Sequence, residues 1–348
     1  MAYTTIKKST DYFNTKLRSG VSSGSQANTG VGFQPDLIWD KNRASGIHAW
    51  WDAVRGNTKQ IQSNSTGAET TVSQLTSFDS DGFTINGSAD HGSGTNIVDW
   101  CWKAGTTSGI TTNGSTDTTP SSYSFNQTAG FSIVKYSGSG STPTKIAHGL
   151  GAVPKMIIVK RLTGTADWVV GHNSMADDWT KYIYLSSTAA SVTAGGAAWE
   201  NTAPDTVNFT VGDNTQINAS GSDYIAYCFA EKTGYSKFSS YKGNGDANGT
   251  FVYTGFKPAF IMYKKYSGTG RWSMEDNKRD PFNVATHGLE ANNNTAENTG
   301  SGYWDVDLLS NGFKFRTTEQ ETNQSNATYI YMAFASEPLV GDNPATAR

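Results

Sequence analysis

The sequence has little charge, and what charge it has is nearly balanced. Only 16% of its 348 residues are charged, against roughly 25% in an average globular protein, and the formal net charge is -3. Such a chain has no surplus of cations with which to neutralise a nucleic-acid backbone. We therefore expect no nucleic-acid partner.

Long apolar runs are lacking as well. No stretch is long enough to form a membrane-spanning helix, and residues 1–9 contain no apolar core of a signal peptide. The sequence therefore predicts no membrane insertion and synthesis in the cytoplasm without a signal peptide.

Convincing helical periodicity is also missing, whereas strand signals are frequent. β-Branched and aromatic runs bounded by Gly, Asn and Ser occur at residues 156–159, 181–185 and 329–332. Aromatic residues reach 12% and there are 37 glycines. We predict an all-β fold made of β-sandwiches, of jelly-roll or lectin-like form, with another Greek-key sandwich topology as the alternative.

One pattern occurs three times along the chain. An aromatic strand ending in glycine is followed by Pro-x-apolar-Ile-x-x-Lys, then by a Trp or His strand, and finally by an alternating strand. The middle motif occupies residues 35–41, 154–160 and 258–264, and the closing strand occupies residues 96–103, 223–230 and 328–335. A period of this length suits one small domain per copy.

The repeat predicts five segments. They are a β-sandwich over residues 1–104, a Gly/Ser/Thr linker over 105–129, a second sandwich over 130–233, a third over 234–337, and an extended C-terminal tail over 338–348.

The two cysteines are interpreted through the repeat. Cys101 and Cys228 occupy the same place in the closing strand, where the third copy has Ala333. A position that accepts Cys, Cys and Ala is most simply a small residue facing the core. We predict two thiols without a disulfide or a redox role.

The sequence offers one motif that resembles a metal site. Asp79 and Asp81 precede Gly82 with the spacing of a calcium loop, but the third copy has Asn311-Gly312 at the same place. Because Asp-Gly and Asn-Gly interchange in tight hairpin turns, we interpret the motif as a turn. We predict no metal and no cofactor, since the histidines lack metal-ligand spacing: His48, His91, His148, His172 and His287.

Two columns of the repeat alignment contain histidine. His48 aligns with Trp168 and Trp272, which favours a position of aromatic size in the packing. Asp52, His172 and Asp276 align near the end of the same strand. We expect these three polar side chains to be solvated or to cap a turn.

Aromatic residues in small-residue loops are the best candidates for binding. Trp199 and the pair Tyr303-Trp304 lie among Gly, Ser and Asn, and Trp50-Trp51 is a weaker case. Such rings can stack on sugars. The alternative is that they pack back over the ends of the sandwiches, because Trp is usually buried.

No catalytic residues are predicted. A nucleophile elbow would need a helix after a Gly-x-Ser-x-Gly turn, and no such helix is indicated. A glycosidase needs two carboxylates across a cleft, and candidates are present without a pattern that pairs them: Asp177, Asp178, Glu200, Asp305 and Asp307. We predict a protein that is not an enzyme, with polysaccharide depolymerase left open.

Four long segments carry a resemblance to known proteins: residues 1–17, 30–43, 250–260 and 344–348. They resemble a family of virion proteins from marine tailed bacteriophages, described as uncharacterised or tail-fibre-like, and the resemblance extends over essentially the whole chain. That family supplies no catalytic residues. Asp40 departs from its pattern, in which an apolar residue such as Ile is expected.

The resemblance implies a structural protein of a phage tail or fibre, made in the host cytoplasm and located in the virion. We expect loops for attachment to the host surface, a homo-oligomer, other virion proteins as partners, and host polysaccharide as a ligand. A purely structural role in a capsid decoration, head fibre or tail ring is the alternative, and a depolymerase is the second alternative.

Overall fold

The computed structural model describes residues 4–88, 92, 94–175, 179–193 and 195–338. These residues form antiparallel β-strands, one 3₁₀ turn and one short helix, so the all-β prediction is confirmed. In copy 1 the turn Ser9–Asp11 precedes β1 (Phe13–Ser19), β2 (Ser25–Thr29), β3 (Leu37–Asn42), β4 (His48–Asp52), β5 (Lys59–Gln62), β6 (Thr70–Thr71), β7 (Leu75–Asp79), β8 (Gly82–Asn86) and β9 (Asn96–Trp102).

The remaining strands follow in the same manner. Copy 2 contains β10 (Ser122–Asn126), β11 (Phe131–Ser137), β12 (Thr144–Ala147), β13 (Met156–Arg161), β14 (Trp168–His172), β15 (Lys181–Tyr184), β16 (Val192–Thr193), β17 (Asn208–Val211), α1 (Thr215–Asn218) and β18 (Asp223–Phe229). Copy 3 contains β19 (Ser236–Lys242), β20 (Phe251–Tyr253), β21 (Lys257–Lys265), β22 (Trp272–Asp276), β23 (Leu289–Glu290), β24 (Val306–Leu309), β25 (Gly312–Phe315) and β26 (Thr328–Glu337).

Each copy contributes one large sheet with a recurrent strand order. The orders are β1-β9-β3-β4-β5-β6, β10-β11-β18-β13-β14-β15-β16 and β19-β26-β21-β22-β23. In every case the closing strand lies between the opening strand and the Pro-x-apolar strand. The chain must therefore finish a copy before the centre of its large sheet can form.

A small sheet covers one face of each large sheet. The small sheets are β2-β8-β7, β12-β17 and β20-β25-β24. Each encloses its own outer core; Phe83 and Ile85 of β8, for example, pack with Ile38 and Trp51. Cys101, Cys228 and Ala333 occupy the three outer cores at one equivalent position, so their interpretation as small packing residues is confirmed.

The other faces of the three large sheets share a single core. Phe334 of copy 3 lies 5.0 Å from Phe13 of copy 1 and 6.2 Å from Phe229 of copy 2, measured between ring centroids. Trp50 of copy 1 lies 4.9 Å from Tyr227 of copy 2. Each copy thus has its own outer core and also contributes to a common core. Each large sheet is buried on both faces, and the common core joins the copies into one body.

The predicted linker is likewise part of this body. Strand β10 lies within the predicted linker and pairs with β11 of the second large sheet. Thr106 forms a bridge with Phe125, and Thr118 forms one with Ile146. Residues 105–129 are therefore not a free connection, because their backbone groups bond to copy 2. The predicted tail lies outside the described residues from residue 339 onward.

Candidate functional site

The four tryptophans predicted as binding residues are buried. Trp50, Trp51, Trp199 and Trp304 each expose 1% or less of their surface. The prediction of surface aromatics is therefore wrong for these four, and the alternative of internal packing holds.

Glycines in neighbouring segments explain two of these buried rings. A Cβ on Gly288 would lie 2.4 Å from the Trp304 ring, and a Cβ on Gly171 would lie 2.8 Å from the Trp199 ring. The missing side chains leave room for each indole to lie against the backbone. Trp50 belongs to the common core, whereas Trp51 belongs to the outer core of copy 1.

Tyr303 is the one predicted binding residue that remains partly exposed. Its ring lies 5.0 Å from the buried Trp304, and its hydroxyl is 3.5 Å from a guanidinium nitrogen of Arg271. Arg271 in turn donates to Glu290 over 2.7 Å. A phenol ring beside a partly exposed guanidinium, whose carboxylate partner is buried, forms a small amphipathic patch.

The Asp79–Gly82 motif forms a hairpin turn, as predicted. Asp79 pairs with Gly82 between β7 and β8. The Asp81 carboxylate accepts hydrogen bonds from the N–H groups of Gly30 and Gly32, and these bonds lower the pKa of Asp81. The Asp79 carboxylate accepts from the Thr84 hydroxyl over 2.6 Å, so both carboxylates are bonded within the protein. Within the described ranges, no group of three or more His, Cys, Asp or Glu side chains could hold a metal ion.

The aligned residues Asp52, His172 and Asp276 cap turns, and their side chains are buried rather than solvated. Asp52 accepts from the N–H groups of Val54 and Arg55, and Asp276 accepts in the same way from Lys278 and Arg279. His172 exposes 2% of its surface and the two aspartates no more than 1%. Of the two predicted roles, capping a turn is the one observed, because this end of the strand faces the adjoining copy.

The same column bonds the copies in cyclic order. Tyr227 of copy 2 donates its hydroxyl to Asp52 over 2.7 Å, and Trp100 of copy 1 donates its indole N–H to Asp276 over 3.0 Å. The equivalent residue of copy 3 is Met332, whose side chain has no hydrogen-bond donor. There His172 supplies the donor itself, from Nε2 to the Tyr331 carbonyl over 3.2 Å. Histidine therefore replaces aspartate where the facing residue cannot donate.

The column of His48, Trp168 and Trp272 is also an internal packing position, as predicted. All three side chains are buried. The Trp168 indole donates to the Gln62 carbonyl of copy 1, and the Trp272 indole donates to the Tyr184 carbonyl of copy 2. His48 accepts at Nδ1 from the Trp39 indole over 2.9 Å. Burial lowers the pKa of His48 well below its ordinary value.

A set of residues not singled out from the sequence forms the most regular contact in the protein. The lysine that ends each Pro-x-apolar motif is completely buried: Lys41, Lys160 and Lys264. We call these residues the lysine clasps. Burial lowers the pKa of Lys41 and Lys160 to about 8 and that of Lys264 to about 7.

Each lysine clasp joins two copies. Lys160 donates to Ala166 O in its own copy over 2.6 Å and to Thr66 O in copy 1 over 2.9 Å. Lys264 donates likewise to Gly270 O and, over 3.0 Å, to Thr188 O in copy 2. Lys41 bonds Gly46 O over 2.7 Å and reaches Asn294 O of copy 3 at 3.5 Å. The repetition of a lysine at the end of an apolar strand was the sequence signal for this role.

Asp40, the departure from the family pattern, lies in a buried charged cluster of copy 1. Its carboxylate accepts from Arg18, which also donates to Asp99 over 2.9 Å. Burial raises the pKa of Asp99 well above its ordinary value, and the Arg18 guanidinium opposes this rise. The side chains of all three residues expose 2% or less. Because these side chains are almost fully buried, we interpret the cluster as a structural network.

The carboxylates considered for glycoside hydrolysis are engaged locally. Glu200 accepts from the Thr142 hydroxyl, Asp305 accepts from the Gly302 N–H over 2.7 Å, and Asp307 pairs with Arg316 over 2.6 Å. Asp177 and Asp178 lie outside the described residues. Each of the three described carboxylates therefore has a partner within the protein.

The comparisons with known proteins give one match. A family model described as a domain of unknown function, DUF7483, matches residues 8–338. Neither the curated proteins nor the solved structures include a match to this chain. Within the described residues no helix has the length and apolar character needed to cross a membrane.

Proposed function

For a chain that belongs to the DUF7483 family, whose function is unknown, we propose a structural role in a bacteriophage tail or fibre, with loops that contact a glycan on the host surface. The observation that carries the structural part is the repeated internal bonding. The lysine clasps and the Asp52, His172 and Asp276 contacts recur between copies, whereas the outer surfaces differ. A rigid framework with varied outer loops suits display.

The polar groups of the interior support a structural role over a catalytic one. Buried residues with shifted pKa values are candidates for catalysis, but Lys160, Lys264 and His172 all bond backbone carbonyls of an adjoining copy. Their protons serve hydrogen bonds between sheets. We therefore propose that the protein is not an enzyme.

The glycan contact is assigned to the patch of Tyr303, Arg271 and Glu290. A tyrosine ring offers an apolar face to a sugar, and the adjoining Arg271 guanidinium offers hydrogen bonds to hydroxyl groups. The buried Glu290 carboxylate holds this guanidinium in place. The Glu290 carboxylate raises the pKa of Arg271 against the effect of burial, which keeps the guanidinium charged. This patch replaces the buried tryptophans as the proposed contact.

Competition with phage adsorption tests the attachment role. Purified protein is expected to bind host envelope polysaccharide and to reduce adsorption of the phage that carries it. Tyr303→Ser is expected to weaken polysaccharide binding about tenfold, the effect of losing one aromatic contact of roughly 1.4 kcal/mol. Phe282→Ser is a matched control at another exposed ring, which is 75% exposed. Equal binding by both variants would remove the patch from the proposal.

A purely structural role is favoured by a different observation. Phe251 and Tyr253 are exposed by 43% and 59% on an edge strand, as at a contact between proteins. Immunogold labelling or a reconstruction of the intact particle separates the candidates. A position on the capsid or within a tail ring selects the structural role, whereas a position at the distal tail selects attachment.

A further inference from the structure

Each small sheet has one edge strand at an equivalent position, and the three edge strands differ in what covers them. We call β2, β12 and β20 the outer edges. Their register makes Thr29, Ala147 and Tyr253 equivalent, and likewise Ala27, Lys145 and Phe251. The three copies therefore allow a comparison of what bonds to the same edge strand in each copy.

In copy 2 the outer edge is covered by the chain itself. The N–H groups of Asp117 and Thr118 donate to Lys145 O, each over 2.9 Å, and Ala147 N–H donates to Thr118 O over 3.2 Å. The Asp117 side chain accepts from Lys145 N–H over 2.8 Å. Asp117 and Thr118 thus cover part of the β12 edge through one parallel bridge, between Thr118 and Ile146.

In copy 1 a lysine blocks the outer edge. Lys16 donates its ammonium group to Thr29 O over 2.7 Å, so a carbonyl that faces the edge is already bonded. The exposed residues there, Ala27 and Thr29, are small or polar. An inserted lysine is a known means of preventing strand pairing at an edge.

In copy 3 the outer edge is aimed at solvent and carries aromatic side chains. Thr254 N–H donates to Asn311 O over 3.0 Å, and Phe315 N–H donates to Thr250 O over 3.4 Å. Bonded pairs alternate in an antiparallel ladder, so the backbone groups of Phe251 and Tyr253 point away from β25. These backbone groups are equivalent to those of Lys145 and Ala147, which bond Asp117 and Thr118 in copy 2.

We propose that the outer edge of β20 binds an extended peptide segment of another protein as a parallel strand. Copy 2 shows the required hydrogen bonds. The Asp117 carboxylate accepts from the N–H of Lys145, and the carbonyl of Thr118 accepts from the N–H of Ala147. Lys314 stands opposite Phe251 in the register and Lys242 is exposed at the same end of β20, which favours an acidic residue there. Side chains of the segment pack against the rings of Phe251 and Tyr253. This site does not depend on the glycan contact.

A peptide with the sequence of residues 113–120 is the probe. The full-length protein, labelled with ¹⁵N, is titrated with it, and amide shifts and amide hydrogen exchange are followed. Shifts and slower exchange are expected at Phe251 and Tyr253, with a dissociation constant on the order of 1 mM for so short a strand. A peptide with Asp117→Ala is expected to bind about threefold to tenfold more weakly, because it lacks the charge-assisted bond.

Two protein variants separate the backbone from the side chains. Tyr253→Pro removes the N–H that points outward and loses no ladder bond, so binding is expected to disappear while the sheet remains. Phe251→Ala with Tyr253→Thr retains the N–H groups and is expected to weaken binding; it serves also if the proline variant fails to fold. Thr29→Pro in copy 1 is the matched control and should bind the peptide as the wild type does.

Four results would overturn the proposal. They are unchanged amides of Phe251 and Tyr253 at saturating peptide, equal shifts at Ala27 and Thr29, protection that depends on protein concentration without peptide, and shifts produced by a monosaccharide instead. The third would identify a second copy as the occupant, and the fourth would identify a sugar.

Discussion

The two faces of the large sheets follow opposite rules. The inner faces repeat the same contacts between copies, with a lysine clasp at one end of the Pro-x-apolar strand and an inter-copy hydrogen bond at the end of the next strand. The outer faces share a strand order but differ in chemistry. Copy 1 buries Arg18 with two aspartates, whereas copy 2 has Tyr136, Val159 and Ala226 at those positions. Contacts between copies constrain the inner face, while each outer core has only its own small sheet to satisfy.

The largest expected effect concerns the common core. Phe334 contacts rings from all three copies, so Phe334→Ala should lower the free energy of unfolding by about 3–5 kcal/mol. Because the core is shared, unfolding in guanidinium chloride should remain one transition, coincident by circular dichroism and tryptophan fluorescence. Two separate transitions would show that the copies unfold as independent domains.

The outer core of copy 1 tests whether its charges are required. Arg18→Tyr alone leaves two buried carboxylates without their cation and should lower the free energy of unfolding by about 3–5 kcal/mol. Combining it with Asp40→Val and Asp99→Ala reproduces the residues of copy 2 and should restore stability to within about 1 kcal/mol of wild type, or exceed it. Chemical denaturation of both variants measures the difference. A triple variant no more stable than Arg18→Tyr would mean that the outer cores cannot be exchanged.

The smallest expected effect is a pH dependence from the lysine clasps. The pKa of Lys264 is about 7 in the folded protein and near 10.5 in the unfolded chain, which therefore binds more protons between these values. The free energy of unfolding should rise with pH from about 7 to 9.5, by up to about 1.4 kcal/mol per pH unit for this group. Lys264→Met should lower stability by about 1–3 kcal/mol, through two unpaired carbonyls, and should reduce the slope. An unchanged slope would contradict the assigned protonation.

Local features were predictable from the sequence, because neighbouring residues determine them. The strands, the turn at Asp79–Gly82 and the small side chains at Cys101 and Cys228 all follow from patterns that span a few residues. The shared core was not predicted. Residues 156–159 form a continuous apolar run, and such a run indicates a strand buried on both faces. The small sheet of copy 2 covers only one face of this strand. The other face packs against the adjoining copies, and an interpretation as separate domains did not include that contact.

The candidate site was less predictable for a related reason. Trp199 and Trp304 lie in polar, glycine-rich segments that look exposed when each segment is considered alone. Gly171 and Gly288, which are distant in sequence, leave the space that buries them. The exposed aromatics Phe251 and Tyr253 stand instead in an ordinary alternating strand. Their significance emerges only when the three outer edges are compared.

Cyclic bonding within one chain has a consequence for valency. An assembly of three identical subunits would present the same edge three times and would engage three partners or none. Here covalent fusion allows each edge to change alone: Lys16 bonds one, Asp117 and Thr118 cover part of another, and β20 carries the exposed aromatic pair. The protein thus has interior contacts that repeat as in a trimer, together with three edges that differ from one another. A partner that recognises β20 would be held in a single orientation.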